Sequence, residues 1–459
     1  TLAKEGKLSL DDDIRKHLPE FYQDNSEEIL IRHLINHSSG IRDVYRLWSL
    51  QGITWWKEVG LSNRDAFDVL AQQRDLNFKP GTQFLYSNSN YLLLAEIVAR
   101  VSGEDFNDYV VSMIKKMQLV ESGFKVKYMR VIPHKARPYS NWGEWMEYPT
   151  LTKLQGDGAF YTTLKDQMIW ERMIQLSRKG LLQNPVLVES QFPIPGAEIK
   201  SYGFGLEFDT YKGQEITYHD GSTGAYNATY MRFPKENLSI VVMSNGGVIA
   251  NTLAKKCADI VLGADKLVAP GYPEMPVNTS KKLKLEQLAG DYEGTDGADL
   301  RLTLRGGALH WEEYDQNGLV MKEEEVNQYT FEVNDKYKIF FDEEAGGEIV
   351  FTVFYPGDGP EVYRRLPDFK PDTEYFKALH GAYYNEECDV KWQLAYVGDN
   401  QFEVTMGGYE GWERTLEYRS RDLFRMNAYQ VRVARNENEE IVGLLVNNDR
   451  LKNVVFLRL

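Results

Sequence analysis

Residues 1 to about 180 carry apolar positions at helical spacing, separated by polar loops. Ile29 to Asn36 reads as a short helix ended by Ser38-Ser39-Gly40. Asn90 to Arg100 reads as a stronger one, with Tyr91, Leu94, Ala95 and Val98 on one face and Gly103 as its stop. Gly156-Asp157-Gly158 marks a tight loop before a further helix around Leu164 to Leu176. Thr1 to Lys4 reads as the last turn of a helix capped by Gly6, a pattern that predicts further sequence upstream.

The period then shortens to two. Tyr202, Phe204, Leu206 and Phe208 alternate with other residues. Strands are predicted at Ile216 to His219, Tyr226 to Phe233 and Leu238 to Met243, before an amphipathic helix from Asn251 to Leu262. Helices, then an antiparallel sheet, then a closing helix predict an α+β domain over residues 1–268. The prolines Pro270, Pro273 and Pro276 mark a linker over residues 269–284. Beyond it short strands alternate with glycine turns, as in a sandwich or barrel: Leu300, Leu302 and Leu304, then Leu309 and Trp311, Phe331 to Val333, Ile339 to Phe341 and Ile349 to Phe354.

This half contains a repeat. Leu285-x-x-Leu288-x-Gly290-x-Tyr292 recurs as Phe376-x-x-Leu379-x-Gly381-x-Tyr383, an offset of 376 − 285 = 91 residues. Val362-Tyr-Arg-Arg-Leu366 resembles Val455-Phe-Leu-Arg-Leu459, an offset of 455 − 362 = 93. Matching starts and ends predict two copies of one small antiparallel module, over residues 285–368 and 374–459.

Composition narrows the function classes. The 459 residues carry 53 basic and 68 acidic side chains, a formal charge of −15, which argues against a nucleic-acid partner. No apolar run approaches the roughly 18 residues of a membrane-spanning helix. Cys257 and Cys388 are too few for a disulfide scaffold.

Three places could carry chemistry. Tyr86-Ser87-Asn88 precedes the Asn90 helix. Its tyrosine could act as a base if a cation lowered its pKa, and Asn88 could hold a carbonyl; equally, the tyrosine could pack on the core while Ser87 and Asn88 cap the helix. His219-Asp220-Gly221-Ser222 is read as a strand end entering a turn. There His219 could transfer a proton, Gly221 could admit a substrate, and the Ser222 N–H could face an oxyanion. A glycine-rich turn with a half-exposed histidine explains the same residues. His33 and His37 stand at i, i+4 on one predicted helix face, a spacing seen in zinc sites, but without the glutamate of the protease motif. No metal or other cofactor is expected, and His37 is read as fixing the Ser38–Gly40 loop.

Taken in order, Leu34-Ile-Asn-His-Ser-Ser-Gly-Ile41, Pro80-Gly-Thr-Gln-Phe-Leu-Tyr-Ser-Asn88, Leu92 to Ile97, Gly156 to Asp166 and His219-Asp-Gly-Ser222 resemble the serine β-lactamase and penicillin-binding-protein-like family. The resemblance covers residues 1 to about 265 and implies a β-lactamase-like domain. Tyr86 and Asn88 match its second motif; His219 and Gly221 match its third, in the form found in the esterase and D-aminopeptidase branch. The family implies an acyl-enzyme mechanism on a small ester or D-peptide or amide. Tyr86 would be the base, Asn88 a substrate-positioning group, His219 and Gly221 pocket residues, and the Ser222 N–H half of the oxyanion hole. The trailing modules resemble the paired eight-stranded, lipocalin-like barrels of D-aminopeptidase-like members.

The family's first motif, Ser-x-x-Lys, would fall roughly ten residues before Thr1. Ser122-Gly-Phe-Lys125 matches its letters but follows the Tyr-x-Asn motif, in a loop leading to the strand-like stretch Val126 to Val131. The chain alone is therefore expected not to turn over substrate, and lost N-terminal strands would leave a sheet edge prone to association, such as a homodimer. A non-catalytic ligand-binding protein on the same fold is the alternative. A third reading makes the barrels the functional part, with Trp311, Phe354, Trp392 and Trp412 lining pockets, although a barrel core needs the same residues. Family members are often exported, which favours the periplasm or secretion.

Overall fold

A computed structural model of the chain describes residues 1–125, 130–263, 265–275, 281–295, 297–312, 318–357, 359–407 and 413–459. Two compact units are present. One is Thr1–Val268 with Arg450–Lys452, and the other is Ala269–Asp449 with Asn453–Leu459. Pro276, Trp412 and most of the strand expected at Val126 to Val131 lie outside the described residues.

The first unit opens with helices α1 (Ile31–Ile35), α2 (Val44–Leu50), α3 (Asn63–Leu70), α4 (Asn88–Ser102) and α5 (Phe106–Lys116). Two small strand pairs follow: β1 (Gly123–Phe124) with β4 (Phe160–Tyr161), and the hairpin β2 (Tyr139–Asn141) with β3 (Trp145–Glu147). Helices α6 (Leu164–Arg178) and α7 (Pro185–Glu189) lead into an antiparallel sheet. Its order is β5 (Glu207–Tyr211), β6 (Gln214–Thr223), β7 (Tyr226–Phe233) and β8 (Leu238–Ser244). Helix α8 (Ala250–Leu262) packs back on it through Ala254 and Ala258, against Ile216, Met231 and Phe233. Strand β8 has no neighbour on its outer side among the described residues.

Helix α4 starts two residues earlier than the apolar pattern suggests and ends where Gly103, at φ +74°, donates to the Ala99 carbonyl. Its burial also differs from the expected single face. Leu92, Leu93 and Ile97 are fully buried, and so are the polar Ser89 and Asn90, because the helix runs inside the unit rather than along its surface. The alternation from Tyr202 to Phe208 is not one strand. Gly205 takes a left-handed φ of +76° and Gly203 N–H bonds the Leu206 carbonyl, so regular pairing begins only at Glu207.

The second unit holds two closed eight-stranded antiparallel barrels, β9 (Gly290–Gly294) to β16 (Glu361–Arg365) and β17 (Gly381–Asn385) to β24 (Val454–Arg458). The repeated motif has the same physical content in both. A short helix, α9 (Leu285–Leu288) or α10 (Thr373–Leu379), leads into the first strand. The tyrosine two residues after the glycine then bonds back to the helix, Tyr292 to the Leu288 carbonyl at 2.8 Å and Tyr383 to the Leu379 carbonyl at 2.9 Å. The closing strand returns an arginine to the same corner, Arg365 to the Gln287 carbonyl and Arg458 to the His380 carbonyl. Trp311 lies in the first barrel's core, Phe354 packs on Phe340, and the Trp392 ring lies 4.1 Å from that of Phe456, tilted by 33°, all buried.

Candidate active site

The site is built where the loop after α1 meets the N-terminus of α4. Helix α1 stops at Ile35, and His37 follows it with a left-handed φ of +55°. His33 and His37 therefore do not share a helix face as their spacing suggests. His33 Nδ1 instead accepts the Leu30 N–H at the start of α1. Among the described residues no group of three or more His, Cys, Asp or Glu side chains is arranged to hold a metal ion.

Four buried side chains tie this loop to α4. His37 Nδ1 lies 3.2 Å from the Ser87 N–H, which it accepts, and 3.0 Å from Asn90 Nδ2. Ser39 Oγ donates to Asn90 Oδ1 at 2.6 Å. Ser89 Oγ accepts from the Val44 N–H and donates to the Arg42 carbonyl. Asp43 caps α2 and accepts both the backbone N–H and Nδ2 of Asn88, at 2.8 and 2.7 Å. Gly40 has no alternative here: at φ +74°, a Cβ would stand 2.3 Å from the Phe78 carbonyl oxygen. The helix-capping role expected of Ser87 is taken by Asp43, and Ser87 Oγ is buried with no partner among the described residues.

This framework holds Tyr86 against His37, ring centroids 4.2 Å apart, and brings it 6.2 Å from His219. Buried Tyr202 lies between the two histidines, 4.7 Å from the His37 ring, with its hydroxyl 2.9 Å from His219 Nε2. Burial holds the His37 imidazole down to about 3, so it is neutral near pH 7 and its Nδ1 is an acceptor. Burial pushes the Tyr86 phenol up to about 12; Arg450 opposes the rise, and Asp157, Asp43 and Glu207 add to it. The Arg450 guanidinium, part of this unit, sits 4.8 Å over the Tyr86 ring and 3.7 Å from Asp43. One cation is thus present, but it does not ionise Tyr86 at neutral pH.

His219 is not at a strand end. Strand β6 continues through Gly221 to Thr223, and the chain turns at Gly224, φ +56°. The β5 ladder ends at Tyr218, while β7 stays paired with His219 to Thr223 on the other side. From His219 to Ser222 the β5-facing edge of β6 therefore has no strand against it among the described residues. Gly221 is exposed and a Cβ there would meet nothing within 4 Å, so this edge is open to a ligand. Ser222 Oγ accepts from Asn227 Nδ2. Asn88, half-buried, gives its backbone N–H and its Nδ2 to Asp43.

Neither literal Ser-x-x-Lys is placed at this cluster. Ser122 Oγ donates to Asp166 at 2.7 Å and lies 2.8 Å from Thr162, which anchors the first turn of α6. Ser122 to Lys125 is not the only literal match in the sequence: Ser112-Met-Ile-Lys115 is a second, and it lies on α5. There Ser112 faces a cavity of about 840 Å³ bounded by residues including Thr1, Tyr109, Trp170, Leu206 and Tyr230.

The sequence matches the Beta-lactamase family model over residues 1–256, more than half of the chain. The chain belongs to the Beta-lactamase family. It is 27% identical over 262 residues to a D-aminopeptidase of Gluconobacter oxydans, covering 55% of this chain and 48% of that protein. It is 27% identical over 264 residues to Protein flp of Staphylococcus aureus, covering 53% and 49%. The chain thus spans about half the length of these relatives. In fold it is similar to an octameric penicillin-binding protein homologue from Pyrococcus abyssi, with a TM-score of 0.51 and 18% identity over 79% of this chain and 84% of that one. Among the described residues no helix is long and apolar enough to cross a membrane.

Residue reading of this Beta-lactamase-family domain missed Asp43, Asp157, Tyr202 and Arg450. Asp43 and Asp157 carried a signal as a helix cap and as a residue between two glycines. Tyr202 stands in the sequence only as one position of an alternating apolar stretch, and Arg450 lies far from every motif.

Proposed function

We propose that this chain carries the proton-handling and oxyanion side of a serine acyl-transfer site, acting through an acyl-enzyme on a small ester or a D-aminoacyl amide or peptide. The observation that supports it is the convergence of Tyr86 and His219, 6.2 Å apart, beside the open backbone edge of β6 at Gly221 and Ser222. In this reading the Ser222 N–H points to the developing oxyanion, Asn88 positions the substrate, and His219, held by Tyr202, shapes the leaving-group side. Tyr86 becomes a base only when a second cation joins Arg450, the part a Ser-x-x-Lys lysine plays. Nucleophile and lysine would come from a helix upstream of Thr1, and without them turnover falls about a millionfold, or about 8 kcal/mol. The unpaired β8 edge would then also be covered; left open, it favours association of two copies.

The test compares this chain with a version extended by a helix carrying Ser-x-x-Lys, assayed on p-nitrophenyl esters and D-aminoacyl p-nitroanilides. Turnover confined to the extended form, and lowered at least about a hundredfold by Tyr86→Phe, supports the reading. Equal turnover by the two forms overturns it.

A further inference from the structure

The loop Gly156-Asp157-Gly158 is laid directly on α4. Gly156 has φ +118°, and a Cβ there would stand 2.4 Å from the Tyr91 carbonyl oxygen and 2.8 Å from Ala95 Cβ, so the backbone cannot retreat. That contact fixes Asp157 within the site. Its Oδ2 accepts the Tyr45 hydroxyl at 2.6 Å, and Tyr45 is backed by Trp55 at 4.5 Å and Trp48 at 5.7 Å. Asp157 is close enough to act electrostatically on Tyr86.

The two carboxylates of the site differ in one respect. Asp43 takes N–H donors from Tyr45, Arg46 and Asn88 and has Arg450 at 3.7 Å. Asp157 has a neutral phenol and backbone N–H groups of its own loop, and no cationic side chain pairs with it among the described residues. A carboxylate drawn out of water without a counter-charge is costly, and a ligand that brings the charge recovers that cost on binding.

We propose that Asp157 is the seat for a protonated amine of the substrate, so that the site takes aminoacyl amides with a free amino group in preference to neutral esters or N-blocked peptides. This rests on the acyl-transfer reading above and specifies its substrate class. The ammonium sits on Asp157, with the Tyr45 and Trp55 rings beside it, and the acyl carbon then lies toward Tyr86 and the β6 edge. A neutral substrate leaves the carboxylate uncompensated. The titratable or charged groups around Asp157 are Tyr45, Asp43 with its Arg450, and Tyr86. Burial, opposed by the Tyr45 hydrogen bond, pushes the Asp157 carboxyl up to about 6, so the seat is mostly charged at pH 7, where an α-amine with its ordinary pKa of about 8 still holds its proton, and mostly discharged at pH 5.

The test measures binding of D-phenylalaninamide and of its des-amino analogue 3-phenylpropionamide to the full chain by calorimetry. The amine binds at least about tenfold more tightly at pH 7, where the carboxylate and the ligand's ammonium are both largely charged, as a charge-assisted hydrogen bond implies, and the gap closes by pH 5. Asp157→Asn brings the amine down to the affinity of its analogue. Tyr45→Phe, which keeps the carboxylate, retains the preference. Equal affinities at pH 7, or a preference that survives Asp157→Asn, overturn the ammonium seat and leave the acyl-transfer reading standing. Failure of both amides to bind at millimolar concentration overturns the ammonium seat and the amide half of the acyl-transfer reading, leaving only its ester half.

Discussion

Asp43 accepts two hydrogen bonds from one residue, the backbone N–H and the Nδ2 of Asn88, on the same carboxylate oxygen. One buried carboxylate thereby sets the start of α2 and the start of α4, the helix that follows Tyr86. Asp43→Ala removes the acceptor for all four donors at once. The expected cost is about 2–4 kcal/mol, from a lost cap plus unpaired buried N–H groups, read as a lowered urea midpoint with unchanged slope. Asp43→Asn, which keeps an acceptor oxygen, costs less than half as much.

His37 ties stability to pH. Its folded pKa of about 3 lies below the ordinary histidine value of 6.5, because the charged imidazole is excluded by burial. The unfolded chain therefore binds the proton first. The His37 contribution is fully present above pH 6.5 and is lost as pH falls toward 3, amounting to a few kcal/mol, on the order of one per pKa unit. Urea titrations across pH 4 to 7 should show a steeper acid loss for the native chain than for His37→Gln. Parallel curves would contradict the buried neutral imidazole.

Two glycines with positive φ make a matched comparison. Gly156→Ala drives a Cβ into backbone 2.4 Å away, whereas Gly103→Ala at φ +74° meets nothing within 4 Å. Gly103→Ala should cost about 1 kcal/mol from backbone conformation alone. Gly156→Ala should cost several times that and displace Asp157, so thermal unfolding separates the two variants clearly.

In the barrel unit, Arg425 Nη1 meets Asp299 at 2.7 Å, both nearly excluded from solvent. Asp299→Ala removes the guanidinium's carboxylate partner, leaving it the Asn427 and residue-299 carbonyls, and should cost about 3 kcal/mol, while replacing both partners with apolar residues of similar volume recovers most of the loss. A double-mutant cycle in urea reads the difference.

Much of this architecture was legible because it is local. The Gly103 stop, the proline linker and the strand spacing each follow from a few neighbouring residues. The repeat was visible because Tyr292 and Tyr383 perform the same bond in each barrel, so both copies keep the same letters. What was not legible depends on distant packing. The burial of Ser89 and Asn90 follows from loop 37–44 lying over α4, which no period reveals. The extension of β6 through Gly221 follows from its pairing with β7. His219 and Gly221 could be named from their motif, but the open edge beside them needs the β5 ladder to end at Tyr218. Arg450 reaches Tyr86 only through the folded chain.

The central claim is that Tyr86, Asn88, His219 and the Ser222 N–H serve an acyl-enzyme whose serine lies on a helix outside the described contacts. The most direct measurement is intact-protein mass spectrometry after brief exposure to a p-nitrophenyl ester, with peptide mapping of any adduct. A single acyl group on the serine of a supplied Ser-x-x-Lys helix, slowed by Tyr86→Phe and absent from the 459-residue chain alone, is the predicted result. A stoichiometric adduct on the chain alone, at Ser112, Ser122 or any other residue, would contradict it.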